Sequence, residues 1–205
     1  MSEPPLVLVA VRRTPVAPPA GSERVRVQRA HARETLGLAS AEAGGPGGPW
    51  PQEEDGGRPL PLEGWHWSIS HDAHLTVGGL ARVPLGVDTE RIQERRLALA
   101  ERVLDADERA LLDGLEASLA FTRTWCAKEA VLKARGIGMA GLSRCRVQRL
   151  EDEGPHLCLH LRLDGEDWRV EQVRVDDSVV AVTAPGPAWR LAWTETEVGP
   201  LPLRP

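Results

Sequence analysis

Two stretches of the chain carry side chains suited to phosphate chemistry. In Gly86-Val87-Asp88-Thr89-Glu90 the residue types predict a strand, and residues two apart on a strand share a face. Asp88 and Glu90 therefore present two carboxylates side by side, with Thr89 turned the other way. Paired hard oxygen ligands suit Mg²⁺, whose remaining positions are filled by water and substrate phosphate. Taken alone, the same pair also describes an exposed edge strand with solvated acids. The second stretch, Phe121 to Lys133, predicts a helix on which Trp125, Glu129 and Lys133 fall four apart on one stripe, with Lys128 beside it. A Glu–Lys pair at this spacing is by itself an ordinary surface pair worth a few tenths of a kcal/mol, roughly 0.2–0.5. The Trp on the same stripe implies burial, and a burial-prone face carrying an acid and a base points to a site.

Two shorter stretches add candidates. Trp67-Ser68-Ile69-Ser70-His71-Asp72 ends a strand in a hydroxyl and an imidazole at a turn, a group able to hold a phosphate or to mimic a Ser/His nucleophile pair. Ser70 and His71 are adjacent, so their side chains diverge, and no Gly-x-Ser-x-Gly elbow is present; a hydrolase is the weaker reading. A structural turn histidine is the plain alternative. In Gly57-Arg58-Pro59, Arg58 is a candidate phosphate contact, set against the alternative of a solvated loop arginine.

Composition narrows the class. Over 205 residues, 41% hydrophobic and 27% charged residues describe a soluble globular chain rather than a disordered one. No apolar run approaches the ~18 residues needed to span a bilayer. The apolar start at Met1 to Ala10 lacks a preceding basic region and reads as a buried strand rather than a signal peptide. A net charge of -5 argues against a general nucleic-acid binder. Cys126, Cys145 and Cys158 fit no zinc or redox spacing and read as free thiols of a reducing cytoplasm. Among 25 Lys plus Arg only Lys128 and Lys133 are lysines, and both lie on the candidate helix. A compact ammonium differs there from the fixed, always-charged arginine fork.

The elements that must position these groups read as follows. Leu6 to Arg12 is a buried strand, and an exposed, Arg-rich helix starts near Ser22 and ends before Gly37. Ala43 to Pro61 is a Gly- and Pro-rich loop. Strands follow at Trp65 to Ser70, Leu75 to Ala81 and Val83 to Arg91. A short helix covers Leu97 to Leu104, and a second, capped by Asp105, runs to about Leu112. The longest helix spans Ser118 to Arg135 and stops at Gly136. Strands at Arg144 to Leu150, His156 to Leu163, Trp168 to Val175, Ser178 to Thr183 and Trp189 to Trp193 complete an α+β chain. Its organisation suggests two α+β halves, 1–103 and 104–205, meeting near the middle. That two-half length favours a monomer.

In order and spacing these motifs resemble the 4′-phosphopantetheinyl transferases of the Sfp type, the larger, pseudo-dimeric class. The likeness rests on Gly57 to Pro59, Ser68 to His71, Gly86 to Glu90, and Trp125 to Lys133 followed by Gly136 and Gly138, and it covers about Gly57 to Gly141. The resemblance implies two similar halves related by a pseudo-twofold axis, with the active site at their interface. It implies transfer of the phosphopantetheine arm of coenzyme A to a serine of an apo acyl or peptidyl carrier protein, releasing adenosine 3′,5′-bisphosphate. Asp88, Glu90 and Glu129 would hold Mg²⁺, Lys133 would contact the phosphates near the reacting centre, and Arg58, Ser70 and His71 would bind the nucleotide end. Lys128 would contact phosphate or steady Glu129. The serine proton would go to Glu129 or to a metal-bound water. Arg12, Arg13, Arg29 and Arg33 are available for the 3′-phosphate and adenine, and Arg123 and Arg135 for docking an acidic carrier. Two rivals remain: another Mg²⁺-dependent phosphoryl-transfer enzyme, for which no Gly-x-x-x-x-Gly-Lys-Ser/Thr loop is found, and an inert coenzyme A-binding protein of the same fold, which would have lost one of the three acids.

Overall fold

A computed structural model describes residues 3–14, 22–54, 57–153, 156–186 and 188–194. Strand β1 (Leu6–Arg13) is followed by helix α1 (Ser22–Glu42), then strands β2 (His66–His71), β3 (Leu75–Ala81) and β4 (Gly86–Arg91). Helices α2 (Leu97–Val103), α3 (Ala106–Leu111) and α4 (Ala117–Arg135) come next, and a 3₁₀ turn over Gly138–Arg144 leads into strands β5 (Arg146–Glu153), β6 (His156–Leu163), β7 (Glu166–Val175), β8 (Ser178–Pro185) and β9 (Arg190–Trp193). Among the described residues no helix is long and apolar enough to cross a membrane.

The strands form two sheets, one in the order β2-β3-β1-β9 and one in the order β4-β8-β7-β6-β5. Their facing sides are valine-rich: Val7, Val9, Val11 and Val77 meet Val87, Val173, Val180 and Val182 in one buried cluster. Stacked sheets of this kind share a core from their inner faces. Helix α1 covers the outer face of the first sheet through Leu36, Ala39 and their neighbours. Helix α4 covers the outer face of the second, where Ala127, Ala130 and Val131 pack on Leu157, Leu159, Leu161 and Val170. The result is four layers, helix–sheet–sheet–helix. The sheets exchange strands across the expected 103/104 division. Strand β4 comes from the first half and pairs with β8, while β9 comes from the second and lies parallel to β1 with Val7 opposite Leu191.

Both helices press directly on a glycine. A Cβ at Gly78 would lie 2.4 Å from Leu36 Cα, and one at Gly86 would lie 1.8 Å from the Ala130 carbonyl oxygen. The second contact seats α4 hard against β4, which fixes where Glu129 and Lys133 stand relative to Asp88.

Several expectations need correction. Helix α1 does not stop before Gly37 but continues to Glu42, and it is not an exposed helix, because Gln28, Ala32, Thr35, Leu36, Ala39 and Ser40 are buried. A mid-helix glycine costs about 1 kcal/mol, and burial of this face against the first sheet offsets it. The third strand begins at Gly86 rather than Val83, leaving Pro84 in the connection before it. The stretch after Gly136 winds into the 3₁₀ turn, anchored by the buried Gly141 and Leu142. The predicted capping role of Asp105 is present: its carboxylate accepts from the Glu108 N–H, and Glu108 accepts from the Asp105 N–H.

Candidate active site

The site begins with a clasp between the two sheets. The β2 edge of the first sheet faces the β4 edge of the second, and no backbone ladder joins them. Alternation along β2 points Ser68 and Ser70 the same way. Ser68 Oγ accepts from the Val87 N–H (3.1 Å), and Ser70 Oγ accepts from the Thr89 N–H (3.3 Å). Two hydroxyls thus satisfy edge N–H groups of β4 that would otherwise be buried without partners. This holds Asp88, the residue between them, beside the β2 strand.

Asp88 is 5% exposed. Its Oδ1 accepts from Ser70 Oγ (2.8 Å) and from Lys133 Nζ (2.7 Å). Lys133 also donates to the Val87 carbonyl (3.1 Å) and to Ser70 Oγ (3.2 Å), so its three N–H groups are aimed by the protein. Oδ2 of Asp88 is buried and has no hydrogen-bond partner. Glu90, next on the same face of β4, accepts from Arg95 (2.6 Å).

The acids share one electrostatic neighbourhood. Burial pushes the Glu129 carboxyl above its ordinary range, the charges of Asp88 and Glu90 push further, and the Lys133 ammonium opposes. Burial likewise raises Glu90; the Arg95 guanidinium works against it, while Asp88 and Asp72 add to the rise. Like charges gathered in a partly desolvated place disfavour ionisation, and an added cation would relieve them. The convergence expected of Asp88, Glu90 and Glu129 is nevertheless incomplete: they do not bring one oxygen each within 4.8 Å of one another. The reason is visible in the pairing, since Lys133 draws Asp88 and Arg95 draws Glu90. An oxygen-only donor set with an orphaned buried oxygen on Asp88 fits a hard divalent cation such as Mg²⁺.

Above these groups opens a cavity of about 750 Å³. Glu129 and Lys133 line it together with Arg29, Arg33, Arg58, His66 and His71. A volume of this order suits a ligand the size of a nucleotide, and the cationic wall suits an anion. Arg58 lies across the end of α4, where a Cβ at Gly136 would meet its Nε at 2.6 Å. Gly136 adopts φ 72°, the left-handed cap geometry that glycine tolerates. The His71 imidazole is held below its ordinary range by burial first, then by Lys133 and Arg29, with Asp72 and Asp88 opposing. His66 is lowered by burial and by Arg58.

The structure thus brings together Arg58, Ser70, His71, Asp88, Glu129 and Lys133, with Glu90 beside them. One sequence expectation changes. Lys128 does not face the cavity: it is 2% exposed, and its ammonium meets Glu108 Oε1 at 2.8 Å inside the core. Five residues from Lys133 is far enough round the helix to point elsewhere. Ser70 lines the cavity, and its hydroxyl bonds Asp88, Thr89 and Lys133, so it also positions the acid. Of the arginines named for the nucleotide end, Arg29 and Arg33 reach the cavity wall. Arg12 lies 3.9 Å from Glu34, and Arg13 pairs with Asp176 at 3.0 Å.

Sequence reasoning missed Asp72 as an organising residue. Its Oδ1 accepts from the His74 and Leu75 N–H groups, its Oδ2 accepts from Ser178 Oγ, and its carbonyl accepts from Gln28 Nε2. It therefore ties the turn after β2 to β8 and to α1. The Asp-initiated turn was a readable signal; the distant partners were not.

The model of the 4′-phosphopantetheinyl transferase superfamily matches residues 84–183, which contain Asp88, Glu90, Glu129 and Lys133. Over these residues the chain is similar to that superfamily. Among individual proteins, it is similar to enterobactin synthase component D of Salmonella typhimurium, 29% identical over 171 residues, covering 78% of this chain and 68% of that protein. It is also similar to 4′-phosphopantetheinyl transferase psf-1 of Bacillus pumilus, 34% identical over 107 residues, covering 49% of this chain and 46% of the relative. The enterobactin synthase component D of Salmonella typhi is 31% identical over 142 residues, covering 66% and 56%. The matches thus span from about half to about two thirds of the relatives' own length.

Proposed function

We propose that this chain transfers the 4′-phosphopantetheine group from coenzyme A to a serine of an apo carrier protein. The observation that carries the reading is Lys133, bonded to Asp88 and standing near Glu129, at the edge of a cavity walled by Arg29, Arg33, Arg58, His66 and His71. Coenzyme A brings a diphosphate and a 3′-phosphate, and these two anionic regions need separate cationic partners. Arg29, Arg33 and Arg58 supply the charge at the nucleotide end, with His71 as a neutral hydrogen-bonding partner, and Lys133 serves the diphosphate. Asp88, Glu90 and Glu129 would hold Mg²⁺, which supplies charge neutralisation at the diphosphate and stabilisation of the leaving oxygen.

The remaining work belongs to the side chains. Lys133 is a compact point charge whose three N–H groups are held by Asp88, Val87 and Ser70, so it acts on the diphosphate through its field. Its ammonium reduces charge build-up on the departing phosphate. Glu129, a carboxylate on the cavity wall beside Lys133, takes the proton of the incoming serine. Ser70 holds Asp88 in place from β2. Attack on the β-phosphorus then forms the serine phosphodiester and breaks the bond to adenosine 3′,5′-bisphosphate.

The two halves, 1–103 and 104–205, act as one compact unit related by a pseudo-twofold axis, and the protein works as a cytoplasmic monomer. Arg135, half-exposed at the end of α4 and 3.5 Å from Glu166, offers a dock for an acidic carrier surface. Arg123 is the weaker candidate, because its guanidinium donates to Gln172 and is half-buried. The decisive experiment incubates the protein with coenzyme A, Mg²⁺ and apo carrier proteins of fatty-acid, polyketide and peptide synthesis. Intact-mass spectrometry then looks for the added phosphopantetheine. No mass gain on any carrier at saturating coenzyme A would sink the reading.

A further inference from the structure

The geometry points to a second metal site, outside the cavity, in which Cys158, His160 and Glu151 bind a borderline-soft divalent cation such as Zn²⁺. All three stand on the β5–β6 hairpin. Glu151 lies opposite Cys158 and Arg149 opposite His160, so the four side chains share one face of the pair. The opposite face of β6 carries Leu157, Leu159, Leu161 and Leu163 into the core. In sequence, Cys-x-His on one strand matches no metal motif; the carboxylate arrives only through strand pairing.

The spacings match a tetrahedral ion. Zinc binds sulfur at about 2.3 Å and nitrogen or oxygen at about 2.0–2.1 Å, which sets tetrahedral edges of about 3.6 Å for S···N and about 3.3 Å for N···O. Cys158 Sγ lies 3.6 Å from His160 Nε2, and His160 Nε2 lies 3.3 Å from Glu151 Oε2. One ligand atom from each residue falls within 4.8 Å of the others, the one such group of three among the described residues. Thiolate, imidazole and carboxylate together favour zinc over Mg²⁺, which takes oxygen ligands.

Two further observations support ligation. Arg149 Nη2 lies 3.0 Å from His160 Nε2, and Nη1 contacts Glu151. Nε2 thus faces Arg149, Glu151 and Cys158 at once, so the ring atom a metal would bind points into the cluster, where a cationic group is already accepted. Arg149 is 59% exposed at its side chain and can swing out to water. His160 also lines a second cavity of about 620 Å³, which gives solvent a route to a fourth coordination position. Cys158 is buried and not in a disulfide, and on binding its thiol proton is released to solvent.

The test adds Co²⁺, then Zn²⁺, to the reduced full chain and to single variants. Wild type should show thiolate-to-cobalt charge-transfer absorption that equimolar Zn²⁺ abolishes. Cys126→Ser should keep the band, and Cys158→Ser should lose it. His160→Gln should weaken Zn²⁺ binding by about 100-fold or more, and Arg149→Ala should tighten it by removing the competing cation. The absence of the band in wild type, or its survival in Cys158→Ser, overturns the site. If Cys158→Ser misfolds by circular dichroism, an unchanged Zn²⁺ concentration needed to abolish the thiolate-to-cobalt band in folded His160→Gln does so instead. Zinc held by Asp88, Glu90 and Glu129 gives no thiolate band, so the two sites are read apart.

Discussion

Helix α4 carries two lysine–acid pairs that differ in what surrounds them. Lys128 meets Glu108 with side-chain exposures of 2% and 1%; Lys133 meets Asp88 with exposures of 32% and 8%. The buried pair is closed: Glu108 also accepts from the Asp105 and Val147 N–H groups, and Lys128 also donates to the Val103 carbonyl. The open pair leaves Asp88 Oδ2 without a partner and places its lysine on a cavity wall. Identical chemistry at the two positions thus yields a core tie in one case and a candidate reaction centre in the other. What separates them is access, together with one unsatisfied oxygen.

The sharpest way to break this contrast is to disable the open pair. Asp88→Asn should leave the unfolding midpoint close to wild type and reduce transfer by on the order of 1,000-fold, about 4 kcal/mol of barrier. Near-normal turnover in a carrier mass assay would remove Asp88 from the site. The closed pair should respond in the other currency. Lys128→Met leaves Glu108 charged and buried, which should cost about 3–5 kcal/mol of stability in urea unfolding. Adding Glu108→Leu should recover only part of that loss, because the Asp105 and Val147 N–H groups then lose their acceptor, while the folded fraction of either variant keeps its rate. If Lys128→Met instead slows transfer at full stability, the two pairs are not distinct.

Two smaller effects refine the picture. Lys133→Arg keeps the charge but replaces a compact ammonium with a planar fork, and should lower kcat by roughly 100-fold, about 2.7 kcal/mol. Equal kcat would mean that any cation suffices. Last comes pH. The His71 pKa is lowered from 6.5 in the folded chain, chiefly by burial. The unfolded chain then binds the proton more readily, so stability is full above the unfolded value and declines as pH falls towards the folded one. Denaturant midpoints between pH 7.5 and 5.5 should show this loss, and His71→Gln should reduce it. An unchanged pH slope in that variant would clear His71 of the effect.

How much of this was legible in the sequence depends on the range of the interaction concerned. Local codes were readable: the Asp105 cap, the Gly136 stop, the span of α4 and the alternation that puts Asp88 and Glu90 on one face all depend on residues a few positions apart. Motif order supplied the candidate residues. Helix α1 was misjudged because Gly37 is a local stop signal overridden by burial against β3. The hold of Ser70 on Thr89 and Asp88 was not legible, because those residues belong to another sheet.

By itself, then, the sequence determined which groups were available: three acids, two lysines and a serine pair on elements of known period. Only the tertiary structure decided which lysine opens to a cavity and which is sealed. Direction around a helix is set by periodicity, but what lies in that direction is set by packing. Lys128 points at α3 and β5, whereas Lys133 points over Gly86 at β4. The physical cause is the missing side chain at Gly86, which lets α4 approach closely enough for an ammonium to reach the carboxylate two residues on.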